Sequence, residues 1–186
     1  VIDGGSTDKT LAIARKYRCE IILNPKVEPL YAKYLVYVHA KGNYIVFVDH
    51  DEVLVNQDSF KEKIAILQEN SDIKVVVACG YRSPAGFNVI NRYINEFGEP
   101  FSFFMYRLSK NPDFFLTTMK KRYAVVKEKK KYAVINLASS GEIPLIELTT
   151  AASMIDGDFF KKMFPSVLKK YYLIPHLLHL LRSSYP

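Results

Sequence analysis

The sequence predicts an α/β fold: a mostly parallel sheet with flanking helices. Short apolar runs alternate with helical segments over the first 80 residues. Two of these runs, Tyr44–Val48 and Val75–Ala78, show no polar alternation, as strands buried on both faces do. Two runs also open directly into acidic turns: Val1-Ile2 into Asp3-Gly4-Gly5-Ser6-Thr7-Asp8, and Tyr44–Val48 into Asp49-His50-Asp51-Glu52. Strand, helix, strand order builds right-handed parallel crossovers, and such sheets bind ligands at the carboxyl ends of their strands.

The elements follow in order. Thr7 to Tyr17 reads as a helix capped by Ser6 or Thr7, with Leu11, Ala14 and Ile13 as its apolar face. Glu20 to Leu23 is a short β-rich run. Pro29 suits the first turn of a helix from Leu30 to about Ala40, which Gly42-Asn43 ends. Asn56 to Gln68 is helical, with Phe60, Ile64 and Leu67 on one side. Ile73 to Cys79 reads as another buried strand. Beyond Gly80 the pattern loosens, and Phe101–Tyr106 is the densest aromatic cluster: a core segment or the lining of an acceptor groove. Tyr123–Val126 and Tyr132–Leu137 read as strands of a hairpin around a lysine run. Pro144–Thr150 reads as a further strand, and Phe159–Met163 as the start of a helix.

The 186 residues, 49% hydrophobic and 24% charged, suffice for one domain with a real core. The start at Val1, only three residues before the first turn, leads us to expect a fragment lacking its true N-terminus. No run reaches the roughly 18 apolar residues of a membrane span. Cys19 and Cys79 give neither zinc spacing nor a disulfide framework, which fits a reducing cytosol. The net charge of +7 gathers at Lys120, Lys121, Arg122, Lys127 and Lys129–Lys131 and in the C-terminal stretch. Such charge suits an anionic partner or a solvated loop; without an RNP-like aromatic pattern or a recognition motif, nucleic acid is not expected. Residues 161–182 mix Lys161, Lys162, Lys169, Lys170 and Arg182 with apolar side chains, which suits either a membrane surface or a face whose covering elements are missing.

Asp49 and Asp51 are two apart, so in an extended segment both carboxylates reach one ion. Hard oxygen donors suit Mg²⁺ or Mn²⁺, whose shell phosphate and water would complete; the alternative is that both residues cap a turn. The middle residue, His50, points away. In Asp3-Gly4-Gly5-Ser6 the glycines allow close backbone approach, and the following helix start favours an anion or a polar ring; a plain capped βα turn is the alternative. His176 and His179 are spaced for one helical turn and have no third ligand nearby.

VIDGGSTDKT resembles the signature turn of family-2 glycosyltransferases, and AKYLVYVHAKGNYIVFVDHDEVL is similar to the family's second block, with Ala32, Ala40, Gly42, Tyr44 and Asp49 in register. These two blocks cover about the first 55 residues; TTAASMIDGDFFKKMF resembles the acceptor-side strand and helix more loosely. The resemblance implies a GT-A fold, residues 1–80 forming a nucleotide-sugar half and 81–186 an acceptor-side half of one domain. It also implies a nucleoside-diphosphate donor, UDP-sugar first, and Mn²⁺ or Mg²⁺. Asp3 would contact the nucleobase within a site shared with Gly4 and Ser6. Lys33 stands at a position commonly arginine, Asp49 would approach ribose or metal, and Asp51 would ligate the metal. Tyr34, Val36 and Asn43 depart from the family pattern. No Glu-Asp pair follows Phe164 to supply a base, so Asp156 and Asp158 are the nearest candidates, against their reading as a turn and a helix start.

The implied function is metal-dependent, inverting transfer of a hexose-class sugar to a glycan, a lipid-linked acceptor or a cell-envelope polysaccharide. A cytoplasmic location is expected, with peripheral association at the inner face of the membrane. The rival is a non-catalytic nucleotide-sugar-fold scaffold.

Overall fold

The computed structural model describes residues 1–98, 109–142, 144 and 146–184, so the Phe101–Tyr106 cluster lies outside the described residues. The chain divides into two compact units, residues 1–76 with 148–177, and residues 77–147 with 178–186. Residues 148–177 thus return to the first unit instead of staying with the second half of the chain.

In the first unit, β1 (Ile2–Asp3) pairs in parallel with β2 (Ile22–Leu23), with α1 (Thr10–Lys16) crossing over between them. Helix α1 starts later than expected. The Asp8 carboxylate accepts from the Thr10 amide at 2.9 Å, so neither Ser6 nor Thr7 is the cap. Of its expected apolar face, Ala14 is buried and Ile13 is exposed. Helix α2 (Pro29–His39) begins with its proline as expected, and buries Leu35 and Tyr37. The Lys161 ammonium caps its C-terminus by donating to the Ala40 carbonyl at 2.5 Å. Helix α3 (Ser59–Glu69) also starts late, because the Asn56 side chain first forms a turn with the Asp58 amide (3.0 Å).

A second sheet corrects the expected mostly parallel arrangement. β3 (Tyr44–Val46) and β4 (Val75–Val76) do not adjoin; β7 (Met154–Asp156) lies between them, antiparallel to both. Tyr44 pairs with Asp156, Val46 with Met154, and Val76 also with Met154. The physical reason is burial. Met154 and Ile155 are 3% and 0% exposed, so this late segment fills the apolar gap between two strands of like direction. The expected strand over 144–150 does not form among the described residues, and the expected seven-residue strand at 73–79 reduces to two residues at the outer position of this sheet.

Helix α6 (Gly157–Met163) follows β7 at once and covers the sheet with Phe160, fully buried beside Phe159 and Phe164, whose ring centroids lie 5.7 and 5.6 Å from its own. Short 3₁₀ turns at Pro165–Leu168 and Tyr171–His176 then pack on α2. There the Tyr34 hydroxyl donates to the Leu168 carbonyl at 2.8 Å, and the Lys26 ammonium sits 4.5 and 4.0 Å from the Tyr31 and Tyr171 ring centres.

The second unit holds α4 (Val89–Phe97), α5 (Pro112–Arg122) and the expected hairpin, β5 (Ala124–Lys129) with β6 (Tyr132–Asn136), which carries the lysine run at its turn. Lys120 pairs with Glu128. Helix α7 (Leu177–Ser184) ends the described chain. His176 closes a 3₁₀ turn while His179 lies in α7, so the two histidines do not share one regular helix. No helix among the described residues is long and apolar enough to cross a membrane.

The turn from β7 into α6 leaves no room for a side chain at Gly157. A β-carbon there would lie 2.8 Å from Ile45 Cγ1 and 3.2 Å from the Asn43 carbonyl oxygen, which accepts from the Gly157 amide at 2.7 Å. Gly157→Ala is expected to destabilise the fold by about 1–3 kcal/mol, read as a lower denaturation midpoint with an unchanged slope.

Candidate functional site

Asp3 ends β1 with its carboxylate folded back into its own turn. The Gly5 amide donates to Oδ2 at 2.8 Å and the Ser6 amide at 3.1 Å, and the residue is 5% exposed. Gly5 adopts φ +105°, a conformation that side chains resist, and this aims its N–H inward. The Ser6 hydroxyl, then the Gly5 amide, hold the Asp3 carboxyl below its ordinary value of 3.8, against the opposing effect of burial. The adjoining Gly4 admits Val27, whose Cγ1 would lie 3.3 Å from a β-carbon at that position; Val27 itself is held at φ +58°, rare for a β-branched residue.

Below it in the chain, Asn24 anchors the loop after β2. Its amide donates to the Asp3 carbonyl (2.7 Å), its side chain to the Glu28 carbonyl (3.0 Å). The Asp3 turn is thereby tied to the start of α2.

At the exit of β3, Lys33 from α2 lies 3.6 Å from Asp49 Oδ2, with 17% of the lysine side chain and 35% of the aspartate side chain exposed. The Thr150 hydroxyl reaches the same oxygen at 2.7 Å. His50 and Asp51 are exposed, and Asp51 makes no hydrogen bond or ion pair among the described residues.

Glu52 closes the turn inward. Its amide donates to the Asp49 carbonyl (3.1 Å) and its Oε2 accepts from the Asp49 amide (3.1 Å). The same carboxylate accepts from the amides of Ala151 (2.6 Å) and Ala152 (3.3 Å). Both alanines are left-handed, at φ +56° and +50°, a conformation that costs about 1–2 kcal/mol per residue. The buried Lys63 ammonium donates to the Ala152 carbonyl at 2.5 Å from the other side.

The structure thus gathers Lys33 and Asp49 and adds Glu52, Thr150, Ala151 and Ala152. Sequence reasoning missed these four. Glu52 had a local signal, since a glutamate three residues after Asp49 is spaced to return to its amide as in a capping box. Thr150 had none, being 101 residues away. Asp156 caps α6 through the Phe159 amide (2.9 Å) and pairs with Lys74 at 3.5 Å; Asp158 accepts from the Asn43 side chain at 2.8 Å.

Among the described residues no three acidic, histidine or cysteine side chains group as a metal cage. The extended segment expected at Asp49–Asp51 is instead a turn, closed by the Glu52 amide on the Asp49 carbonyl, so alternation along a strand does not align the two carboxylates; their hard oxygens still suit a cation of the kind that takes one or two carboxylates and fills its shell with phosphate and water. Asp51 is exposed and without a partner among the described residues, whereas Glu52 is spent on amides. The second unit separately holds an open hollow of about 460 Å³, lined by Glu96, Phe97, Asn111, Asp113 and Phe114 among others.

The family model described as glycosyl transferase family 2 matches residues 1–125, which include both acidic turns and exclude the Thr150 loop. No curated protein matches the chain, and no solved structure does.

The Asp3 interactions have a pH signature. A carboxyl whose folded-state value is depressed adds stability above its unfolded value, and loses it as pH falls through the folded one. The stability difference between the wild type and Asp3→Asn is therefore expected to be full at neutrality and to shrink below the ordinary value of 3.8, measured by urea unfolding across that range.

Proposed function

Because the chain belongs to glycosyl transferase family 2 and so is a glycosyltransferase, we propose that the turns at Asp3 and Asp49–Asp51 hold the two ends of a nucleoside-diphosphate sugar, UDP-sugar being the first candidate. On this reading the small sheets, one parallel and two antiparallel, belong to a GT-A fold. One observation carries the proposal: the two acidic turns end strands of the same unit, and each acidic side chain is disposed differently.

Asp3 accepts from amides and stays ionised, so it offers its remaining acceptor capacity to an N–H edge of a nucleobase. Gly4 and Ser6 bring main chain close at this end. Lys33 gives a positive charge beside Asp49, which suits a phosphate or a ribose hydroxyl shared between them. Asp51, exposed beyond Asp49, joins it as the pair of hard oxygen donors that would hold Mn²⁺ or Mg²⁺. Such a cation, when bound, neutralises charge that develops on the departing diphosphate.

Inverting transfer needs a base for the acceptor hydroxyl. Asp156 and Asp158 are read as helix-start residues, on their capping and side-chain bonds. The acceptor is a glycan or a lipid-linked chain; taken by itself, the hollow of the second unit, with the rings of Phe97 and Phe114 beside Glu96 and Asp113, has the stacking and hydrogen-bonding groups that suit sugars.

Asp51→Ala in the full-length protein is expected to lower metal-dependent sugar transfer by at least about 100-fold, roughly 2.7 kcal/mol of transition-state stabilisation. The melting temperature should hardly change, since Asp51 is exposed and without partners among the described residues. Near-normal turnover with UDP-sugar and Mn²⁺ would overturn the assignment.

A further inference from the structure

We propose that Glu52 and Thr150 are positioning residues for Asp49: Glu52 fixes the 150–152 loop, and the loop presents the Thr150 hydroxyl to the Asp49 carboxylate. The inference rests on reading Asp49 as a donor-site residue.

The geometry separates Glu52 from the carboxylates beside it. Both its oxygens are occupied: Oε1 by the Ala151 amide, Oε2 by the amides of Asp49 and Ala152. A carboxylate so committed is a structural acceptor for main-chain donors, not a free metal ligand. What it holds is a strained segment. Two successive alanines in the left-handed region persist only where the surroundings over-determine them, and here their N–H groups converge on one carboxylate while Lys63 holds the Ala152 carbonyl.

The residue just before this pair is Thr150. Its hydroxyl oxygen lies 2.7 Å from Asp49 Oδ2 and 3.1 Å from Glu52 Oε1. One hydroxyl has one proton to give. The shorter contact, and the amide already on Glu52 Oε1, direct that proton to Asp49. When a cation or a ribose hydroxyl draws on Asp49, the hydroxyl can rotate toward Glu52 and keep a hydrogen bond. Asp49 is thus held in place without ligand and released without leaving the half-buried hydroxyl unsatisfied. Glutamine cannot replace Glu52 in this role, because both oxygens face amide donors and its NH₂ group would oppose one of them.

The test uses the full-length protein with Glu52→Gln, Thr150→Val, Thr150→Ser and the Gln/Val double variant, and Mn²⁺ with UDP as the probe. Outer-shell substitutions of this kind cost about 10–100-fold in metal affinity. Calorimetry should show such a loss in Glu52→Gln, a loss in Thr150→Val, near-complete retention in Thr150→Ser, and no further loss in the double variant, since both residues act on one carboxylate. Without ligand, the carboxyl-carbon NMR signal of Asp49 should move in both Glu52→Gln and Thr150→Val. Hydrogen exchange should quicken at the Ala151 and Ala152 amides of Glu52→Gln while Met154 and Ile155 in β7 stay protected. Unchanged affinity in the single variants, additive losses in the double, a stationary Asp49 signal, or equal loosening of β7 would each overturn the proposal. A wild type that does not bind Mn²⁺ with UDP would overturn the donor-site reading instead; the Asp49 signal and the two amides would then still decide the positioning role.

Discussion

The pairing of β7 with β3 is the interaction on which the site depends. Met154 opposite Val46, and the Phe47 amide bonded to the Ser153 carbonyl at 3.1 Å, bring the 150–152 loop beside the turn that ends β3. Thr150 could not reach Asp49 otherwise, and Glu52 would have no amides to bind. The pairing is driven by burial: Ile45, Phe47, Met154, Ile155 and Phe160 are all at most 3% exposed, an apolar layer made of both faces of the strands that carry the acidic turn. Gly157 belongs to the same constraint, since only a missing side chain lets α6 begin so close to Ile45.

On that apolar layer the acidic groups divide their work by the company each keeps. Asp3 is satisfied by the amides of its own turn. Asp49 is balanced between a lysine and a hydroxyl. Glu52 is bound into the backbone of a distant loop. Asp51 alone faces solvent without a partner among the described residues. Four carboxylates close in type thus differ in environment through burial and donors, the two quantities that decide whether a charge near a core is tolerated.

Much of the first unit was legible in the sequence. Pro29, Gly42-Asn43 and the run Tyr44–Val48 place α2 and β3 within a few residues, because capping and breaking signals are local. The two acidic turns were legible for the same reason. The helix starts at Thr10 and Ser59 were not, since Asp8 and Asn56 form side-chain turns that compete with the helix. Least legible was the place of β7: the order of strands in a sheet is set by which apolar surfaces meet across long separations, and Met154–Asp156 is too short to declare itself as a central strand. With it went Thr150 and the left-handed alanines, for which neither composition nor spacing gives warning.

The return of residues 148–177 to the first unit also governs the order of events on the ribosome. β3 and β4 are synthesised early but have no partner until β7 emerges, after the whole of residues 77–147. At typical elongation of about 5–20 residues per second, that interval is several seconds. Through it the nascent chain carries two apolar strands with unpaired edges, the feature that invites pairing with a neighbouring chain. The strand that pairs beside the acidic turn is therefore also the one whose delay sets how long those edges stay open.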